Sequence, residues 1–355
     1  MAKKLMKGCE AIAEAAVQAG CRCYFGYPIT PQTDIPEYLS ARMPEVGGVF
    51  VQAESEIAAA NMVYGAAGAG ARVMTSSSSP GISLKQEALS TIAGAELPCV
   101  VLNVMRGGPG IGGIAPSQGD YYQATRGGGH GDYRQIVLAP ASVQEAADIM
   151  YGSFALADKY RMIVMVLADG FIGQMMEPVD LPMGATPEVE KPWAATGWTP
   201  ESDRPRAVIN SLYIKEPDLT KLHERFAARY AEIEANEVRY EAYQLEDAEF
   251  VIYAYGTMAR ICKSAIAILA NEGIKVGMVR PITLWPFPTK AVHDAAALES
   301  VKSTLTVEIS AGQMFDDVRI GVNGVKPTEF LGYAGSKIPT VDEIVAKIKS
   351  MKGVE

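Results

Sequence analysis

The sequence predicts an α/β protein whose larger part is a parallel β-sheet covered by helices on both faces. In the first half of the chain, short apolar runs of strand length alternate with stretches of helical length. This alternation is typical of βαβ units, which form parallel sheets. It resumes at Glu249 after a proline-rich interval, and so predicts a second, smaller α/β unit. The 355 residues are enough for about two domains at roughly 150 residues each.

The predicted elements of the first half follow one another in regular order. An amphipathic helix over residues 7–18 ends at Gly20. The predicted strands that follow are 22–25, 48–52, 72–75, 99–105, 135–139 and 162–168. Helices are predicted between most of them, at 55–69, 83–93 and 142–160. Ligands of such sheets bind beyond the carboxyl ends of the strands, so the residues that follow the strands are candidates for a site.

The second half begins with a change in composition. Frequent prolines between residues 178 and 217 exclude long regular elements there, and a charged helix is predicted at 219–246. The second unit is predicted to contain strands at 250–254, 275–279 and 303–308 and helices at 259–271 and 289–298. Thr340 and Glu343 form a capping box for a last helix that ends near residue 351. We therefore expect domains at residues 1–180 and 248–355, joined by a linker or insertion at 181–247.

The charge balance and the cysteines exclude several classes of protein. The chain has 32 basic and 41 acidic residues, a net charge of −9, which argues against a nucleic-acid-binding protein. No apolar run approaches the ~20 residues of a membrane helix, and no signal-type segment follows the first lysines, so we expect a cytoplasmic protein. The five cysteines are scattered without a Cys-x-x-Cys pair, which predicts reduced thiols and no metal or iron–sulfur site within this chain alone.

Three polar segments follow three of the predicted strands. They are Tyr27-Pro28-Ile29-Thr30-Pro31, the run Thr75-Ser76-Ser77-Ser78-Ser79-Pro80-Gly81, and Arg106 with the glycines after it. Strand ends of one parallel sheet lie at the same edge, so we expect these segments to converge on one site. Arg106 suits a carboxylate or phosphate, because its guanidinium donates two parallel hydrogen bonds; a structural ion pair is the alternative.

Two further features are candidates for function. Glu54 and Glu56 lie at the start of a predicted helix directly after a strand, as first-turn charges or as a placed functional group. The connection between Met105 and Gln135 is far longer than usual, which favours a binding loop over a mobile surface loop. Its Gly108-Pro109-Gly110-Ile111-Gly112-Gly113 run opens no helix, so it does not predict a dinucleotide site. His130 is the one histidine in this connection and a candidate for a direct role.

Taken together, these segments resemble the alpha subunit of 2-oxoacid:ferredoxin oxidoreductases over nearly the whole chain. The resemblance is carried by Tyr27-Pro28-Ile29-Thr30-Pro31, Glu54-Ser55-Glu56-Ile57-Ala58-Ala59 and Arg106-Gly107-Gly108-Pro109-Gly110 in this order, with Ser117-Gln118-Gly119-Asp120 and His130-Gly131-Asp132-Tyr133. It implies a pyrimidine-binding domain of thiamine enzymes followed by a domain similar to the C-terminal domain of transketolase. Within the family, the sequence most resembles the branched-chain enzymes that act on 3-methyl-2-oxobutanoate.

The resemblance also implies cofactors and partners. Thiamine diphosphate would be shared with a beta subunit, because the Gly-Asp-Gly segment with a later Asn, which binds the diphosphate and Mg²⁺, is missing from this sequence. Mg²⁺ and [4Fe–4S] clusters would belong to partner subunits, with gamma and ferredoxin-like delta subunits expected. Coenzyme A would be the co-substrate, and ferredoxin the electron acceptor.

Site residues follow from the resemblance position by position. Glu56 matches the glutamate that shares a proton with the aminopyrimidine ring of the cofactor. Thr30 and Arg106 match residues that hold the 2-oxoacid carboxylate, and Tyr27 belongs to the same segment. We expect Ser76, Ser77 and Ser78 to line the pyrimidine pocket.

Three alternatives stay open from the sequence. Arg126 could serve as the second cation that 2-oxoglutarate needs for its distal carboxylate, so that substrate is an alternative to a branched-chain 2-oxoacid. A transketolase-like enzyme or an E1-type dehydrogenase subunit would use thiamine without ferredoxin. A non-catalytic, small-molecule-binding α/β subunit is the alternative of another class.

Overall fold

The computed structural model of the protein describes residues 3–353 except Met183, Ala185, Glu188 and Ser336. Its described residues form a seven-stranded sheet, a five-stranded sheet and a two-stranded ribbon, with helices between the strands. The predicted α/β class is therefore confirmed.

The first half supplies most of the seven-stranded sheet. Its elements are β1 (Lys4–Lys7), α1 (Gly8–Gln18), β2 (Cys23–Gly26), α2 (Asp34–Glu45), β3 (Val49–Gln52), α3 (Glu56–Gly68), β4 (Val73–Ser77), α4 (Ser79–Gly94), β5 (Cys99–Met105), α5 (Tyr121–Arg126), β6 (Ile136–Leu138), α6 (Val143–Tyr160), β7 (Ile163–Asp169), α7 (Gly170–Gln174) and β8 (Met176–Val179).

The second half supplies the five-stranded sheet and one strand of the larger sheet. Its elements are α8 (Glu216–Asn236), β9 (Tyr240–Tyr243), β10 (Phe250–Tyr253), α9 (Gly256–Asn271), β11 (Val276–Pro281), β12 (Thr283–Trp285), α10 (Thr289–Ala296), β13 (Ser303–Glu308), α11 (Gln313–Val322), β14 (Thr328–Gly332) and α12 (Val341–Lys352). The predicted capping box of α12 is confirmed, because Thr340 and Glu343 exchange backbone and side-chain hydrogen bonds.

The larger sheet has the strand order β12-β6-β7-β5-β4-β2-β3. All its neighbouring strands are parallel except β12, which pairs antiparallel with β6. Every residue of the central strands β5 and β7 is buried, as expected for strands covered on both faces. The carboxyl ends of β2, β4 and β5 therefore meet at one edge, where the three polar segments begin.

The smaller sheet has the order β14-β13-β10-β11-β9, with β9 as its antiparallel edge strand. Two contacts between the halves are built into the fold. The strand β12, from the second half of the chain, completes the larger sheet. In addition, the buried Asp169 accepts hydrogen bonds from Phe171 and Ile172 at the start of α7 and from Thr257 at the start of α9.

Several predicted bounds are wrong. The charged helix predicted to reach residue 246 ends at Asn236, and the chain then forms the edge strand β9. The helix predicted from residue 83 begins at Ser79, because Pro80 fits the first turn of a helix. Sequence reasoning also missed the helices α2, α5, α7 and α11 and the strands β1, β8, β9, β12 and β14.

The cysteine prediction is confirmed for the thiols themselves. All five cysteines are free, and four of them, Cys9, Cys21, Cys99 and Cys262, are buried. Burial raises the pKa of Cys21 and Cys99 to about 12, which keeps these thiols protonated.

The long connection after β5 is ordered by contacts with the second half. Gln118 is fully buried: its side chain donates to the Tyr255 carbonyl at 2.9 Å and accepts from the Ile309 amide at 2.9 Å. Tyr121, at the start of α5, donates to Asp317 of α11. By contrast, Ile111 and Ile114 are 83% and 67% exposed. The connection thus has an exposed tip and a base held by the smaller unit.

Candidate active site

Glu56 is placed by the local structure at the start of α3. Ser55 caps this helix, its hydroxyl accepting a hydrogen bond from the Ala58 amide at 3.2 Å. Glu56 is the first helical residue and is 6% exposed, whereas Glu54 is exposed. The structure therefore distinguishes Glu56 from Glu54, whereas the sequence alone does not show which of the two carboxylates is buried.

The surroundings of the Glu56 carboxylate fit a ligand ring better than a protein partner. A Cβ added at Gly81 would lie 2.5 Å from Glu56 Oε1 and 2.0 Å from Ser77 Oγ, so a larger residue here would force one or both of these side chains to move. Among the described residues, none donates a hydrogen bond to the carboxylate, and the buried hydroxyls of Ser77 and Ser78 have no partner. Buried polar groups are normally paired. These unpaired groups fit the aminopyrimidine of thiamine diphosphate, which offers both donors and acceptors.

Arg106 follows β5 and is 8% exposed. Its Nη1 donates to the Thr30 carbonyl at 2.8 Å and its Nη2 to the Ile111 carbonyl at 2.8 Å. Within the described part of the chain, no carboxylate pairs with this guanidinium, and its buried Nε has no acceptor. Burying a cation without a counter-charge is unfavourable in free energy. The geometry therefore fits a guanidinium that binds an anionic ligand.

The first turn of α4 brings the two candidate groups together. Ser79 Oγ accepts from the Arg106 amide at 3.0 Å and donates to Asp120 Oδ2 at 2.6 Å. Asn103 donates to the same Asp120 oxygen at 2.9 Å. Gly81, two residues after Ser79, packs against Glu56. The three polar segments thus converge, as the sequence predicted.

Asp120 is the acidic member of this network. Burial raises the pKa of its carboxyl above the usual range, while the hydrogen bonds from Ser79 and Asn103 oppose that rise. Asp120 accepts from Ser79, and Ser79 in turn accepts from the Arg106 amide, so this network helps to fix the backbone of Arg106.

The structure separates Ser76 from the other serines. Successive residues of β4 point to opposite faces of the sheet. The Ser76 hydroxyl is 2.8 Å from Tyr24 OH and donates to Gln32 Oε1 at 2.6 Å, so it is used within the fold. Its predicted place in a cofactor pocket finds no support, whereas Ser77 and Ser78 stay candidates.

Tyr27 and Thr30 are both exposed at the end of β2. The Thr30 carbonyl, which holds Arg106, faces inward. Their roles toward a substrate stay predictions, and Thr30 has the direct link to Arg106.

Arg126 and His130 are not part of this cluster. Arg126 pairs with Asp317 at 2.9 Å and lies over the ring of Tyr122, so its charge already has a partner. Its role as a second cation for the distal carboxylate of 2-oxoglutarate stays a prediction, which this ion pair disfavours. His130 is exposed, and its carbonyl accepts from Ser90 in the last turns of α4, whereas Glu56 packs on the first turn.

Lys85 and Asp120 belong to the site, but sequence reasoning gave them no role. Lys85 is fully buried, and its ammonium donates to Thr75 Oγ1 at 2.9 Å and to the Glu56 carbonyl at 3.4 Å. A signal for it exists: Ile82 and Leu89 mark the buried stripe of α4, and Lys85 lies on that stripe.

Two family models cover most of the chain. The model described as "Pyruvate flavodoxin/ferredoxin oxidoreductase, thiamine diP-bdg" matches residues 14–244. "Pyruvate:ferredoxin oxidoreductase core domain II" matches residues 248–344. The ketoisovalerate oxidoreductase subunit VorB of Methanothermobacter marburgensis is 47% identical over 354 residues, 99% of each chain. This chain belongs to the 2-oxoacid:ferredoxin oxidoreductase family.

Other members of the family are also similar. The 2-oxoglutarate synthase subunit KorA of the same organism is 37% identical over 98% of each chain. Among solved structures, a 2-oxoglutarate:ferredoxin oxidoreductase from Magnetococcus marinus, with 2-oxoglutarate, coenzyme A and succinyl-CoA bound, matches with a TM-score of 0.86 and 26% identity. The match covers 98% of this chain and 65% of the chain in the solved structure.

A split-gene transketolase shares the fold alone, with a TM-score of 0.59 and 14% identity. Together, the two family models and these structures confirm the predicted fold class, a thiamine-binding α/β domain followed by a second α/β domain. As a member of a family of oxidoreductase subunits, the chain is part of an enzyme, which disfavours the non-catalytic alternative.

Two features are absent from the residues that the structure describes. No helix is long and apolar enough to cross a membrane. No group of three or more His, Cys, Asp or Glu side chains, within the same described ranges, is arranged to hold a metal ion.

Proposed function

We propose that this chain is the alpha subunit of a thiamine diphosphate-dependent branched-chain 2-oxoacid:ferredoxin oxidoreductase. The reaction would convert 3-methyl-2-oxobutanoate and coenzyme A to the acyl-CoA and CO₂, and the two electrons released would reduce ferredoxin. The observation that carries the proposal is the buried Glu56 carboxylate, for which the described residues supply no hydrogen-bond donor, next to the unpaired hydroxyl of Ser77.

The proposed role of Glu56 is to hold a proton against the pyrimidine ring. When bound, thiamine diphosphate supplies an electron sink for the pair released as the bond between the carboxylate and the carbonyl carbon breaks. Glu56 would share a proton with a ring nitrogen, and Ser77 and Ser78 would offer hydroxyls to the ring edge.

Arg106 would bind the 2-oxoacid carboxylate. Its two terminal nitrogens are held by the carbonyls of Thr30 and Ile111, so the guanidinium plane is fixed before a substrate arrives. The buried Nε has no acceptor and is free to donate. A fixed cation of this kind orients the scissile bond, because the carboxylate is the group that leaves. Tyr27 and Thr30 are proposed to line the same pocket.

The preference for a branched-chain substrate rests on three observations. Arg126, the candidate second cation, is neutralised by Asp317. The tip of the long connection presents Ile111 and Ile114. Identity is higher to the ketoisovalerate relative, at 47%, than to the 2-oxoglutarate relative, at 37%. 2-Oxoglutarate is the second candidate, favoured by the Magnetococcus structure and the KorA relatives.

The proposed assembly is a complex that we expect to be cytoplasmic. A beta subunit would hold the diphosphate with Mg²⁺ and a [4Fe–4S] cluster, since this sequence lacks a Gly-Asp-Gly segment followed by Asn. Gamma and ferredoxin-like delta subunits would complete it.

A substrate panel on the complex reconstituted with its partner subunits tests the proposal. We expect kcat/KM for 3-methyl-2-oxobutanoate to exceed that for 2-oxoglutarate by at least about tenfold, because an apolar pocket leaves the distal carboxylate unpaired. Arg126→Ala should leave this preference unchanged. A preference for 2-oxoglutarate that Arg126→Ala abolishes would overturn the substrate proposal and leave the reaction type intact. A complex that turns over no 2-oxoacid would overturn the function itself.

A further inference from the structure

Lys85 is a charged side chain at a buried position that an apolar residue could fill. It lies on α4, one turn after Gly81, and is fully buried between α4, β4 and α3. Within the described ranges, no carboxylate forms an ion pair with its ammonium, which bonds to the Thr75 hydroxyl and the Glu56 carbonyl. Moving an ammonium out of water without a paired charge is unfavourable. Methionine has a similar length and would fill the same space without that cost.

The ammonium of Lys85 lies close to Glu56, within 3.4 Å of its backbone carbonyl oxygen. Burial lowers the pKa of the Lys85 ammonium to about 8, and attraction to the Glu56 carboxylate opposes that decrease. On β4 the neighbouring side chains of Thr75 and Ser77 are neutral, and on α4 the adjacent Gln86 is neutral too. In the described part of the molecule, Glu56 is thus the charged group whose field acts on Lys85.

We propose that Lys85 is a positioning residue for Glu56. Its ammonium ties the first turn of α3 to β4 through the Glu56 carbonyl and the Thr75 hydroxyl, and it places a positive charge close to the Glu56 side chain. The inference rests on the proposed function of Glu56. It explains why a lysine occupies the buried stripe of α4, directly below the glycine on which the carboxylate packs.

The consequence is a pH dependence with a defined direction. Below about pH 8 the ammonium is charged and holds Glu56 ready to share a proton with the cofactor. Above that pH the ammonium loses its proton, the carboxylate loses its counter-charge, and turnover falls. We therefore expect the pH–rate profile of the wild-type complex to have an alkaline limb near pH 8 that depends on Lys85.

The test uses Lys85→Met in the reconstituted complex, with the exposed Lys290→Met as a matched control. Lys85→Met should lower kcat by about tenfold to a hundredfold at pH 7, as the loss of one nearby buried charge predicts. It should also remove the alkaline limb near pH 8. The thermal unfolding midpoint should be unchanged or higher, because a buried charge has gone. Lys290→Met should change neither rate nor profile.

Thr75→Val keeps the test decisive if Lys85→Met fails to assemble. This variant keeps the lysine and removes one acceptor of its ammonium, so the pKa should fall further and the alkaline limb should move to lower pH. A wild-type profile in Thr75→Val overturns the inference. So does a Lys85→Met complex that is less stable but keeps the wild-type alkaline limb, since that is the behaviour of a purely structural residue.

Glu56→Gln in the same complex separates the two proposals. An active Glu56→Gln complex would overturn the proposed role of Glu56, and the role of Lys85 with it. An inactive Glu56→Gln complex, combined with wild-type pH profiles in the Lys85 and Thr75 variants, would overturn the Lys85 inference alone.

Discussion

Glu54 and Glu56 differ in environment more than in sequence position. Glu56 is buried against Gly81, whereas Glu54 is exposed one residue before the cap of α3. Glu56→Gln keeps the size but cannot share a proton with the ring, so turnover of the complex should fall by orders of magnitude. Glu54→Gln should change it little. Steady-state rates of both variants check this, and an inactive Glu54→Gln beside an active Glu56→Gln would reverse the assignment.

Arg106 combines two structural hydrogen bonds with a proposed substrate contact. Lysine cannot reach both carbonyls and still present a planar fork to a carboxylate. Arg106→Lys should therefore lower kcat/KM. The ratio of the two values should correspond to a loss of about 2–4 kcal/mol of transition-state stabilisation. Arg126→Lys, at an exposed ion pair, is the matched control and should stay near wild type. Equal losses in the two variants would count against a specific role for Arg106.

At the scale of the elements, the base of the long connection depends on Gln118. Its amide pairs with the Tyr255 carbonyl and the Ile309 amide, both at buried positions. Gln118→Ala leaves these backbone groups unpaired and should lower the free energy of unfolding by about 2–4 kcal/mol. Gln123→Ala removes one exposed bond to Ser83 and should have little effect. Urea unfolding of the purified chain measures both, and equal stability of the two variants would contradict this account.

The same elements show what the sequence could predict. The parallel strands and the shared edge of their polar ends follow from apolar periodicity and from the alternation of strands with helices along the chain, which are local signals. The run of four serines has no periodicity, so nothing in it distinguishes Ser76, which faces Tyr24, from Ser77, which faces Gly81. The strand β12 could not be assigned to the larger sheet, because its partner β6 is far away in sequence. Lys85 could have been found, since a lysine in an apolar helical stripe is unusual.

At the scale of the whole molecule, the two halves share parts. The second half completes the larger sheet through β12, and Asp169 joins the first turns of α7 and α9 with four hydrogen bonds. Arg280 of β11 forms an ion pair with Glu145 of α6 at 2.9 Å. The long connection therefore approaches Arg106 from a base set by the second half, which links the smaller unit to the geometry of the site.

The site that results offers groups for a ring and for a carboxylate, but the sequence has no Gly-Asp-Gly segment for a diphosphate. Among the described residues, none form a cluster suited to a metal ion. Expressed alone, the chain should therefore be colourless and bind thiamine diphosphate weakly. The complex with its partners should be brown from iron–sulfur clusters and retain the cofactor. Absorbance spectra and cofactor content after gel filtration measure both properties. A lone chain that keeps one equivalent of thiamine diphosphate with Mg²⁺ would show that the diphosphate site lies within this chain.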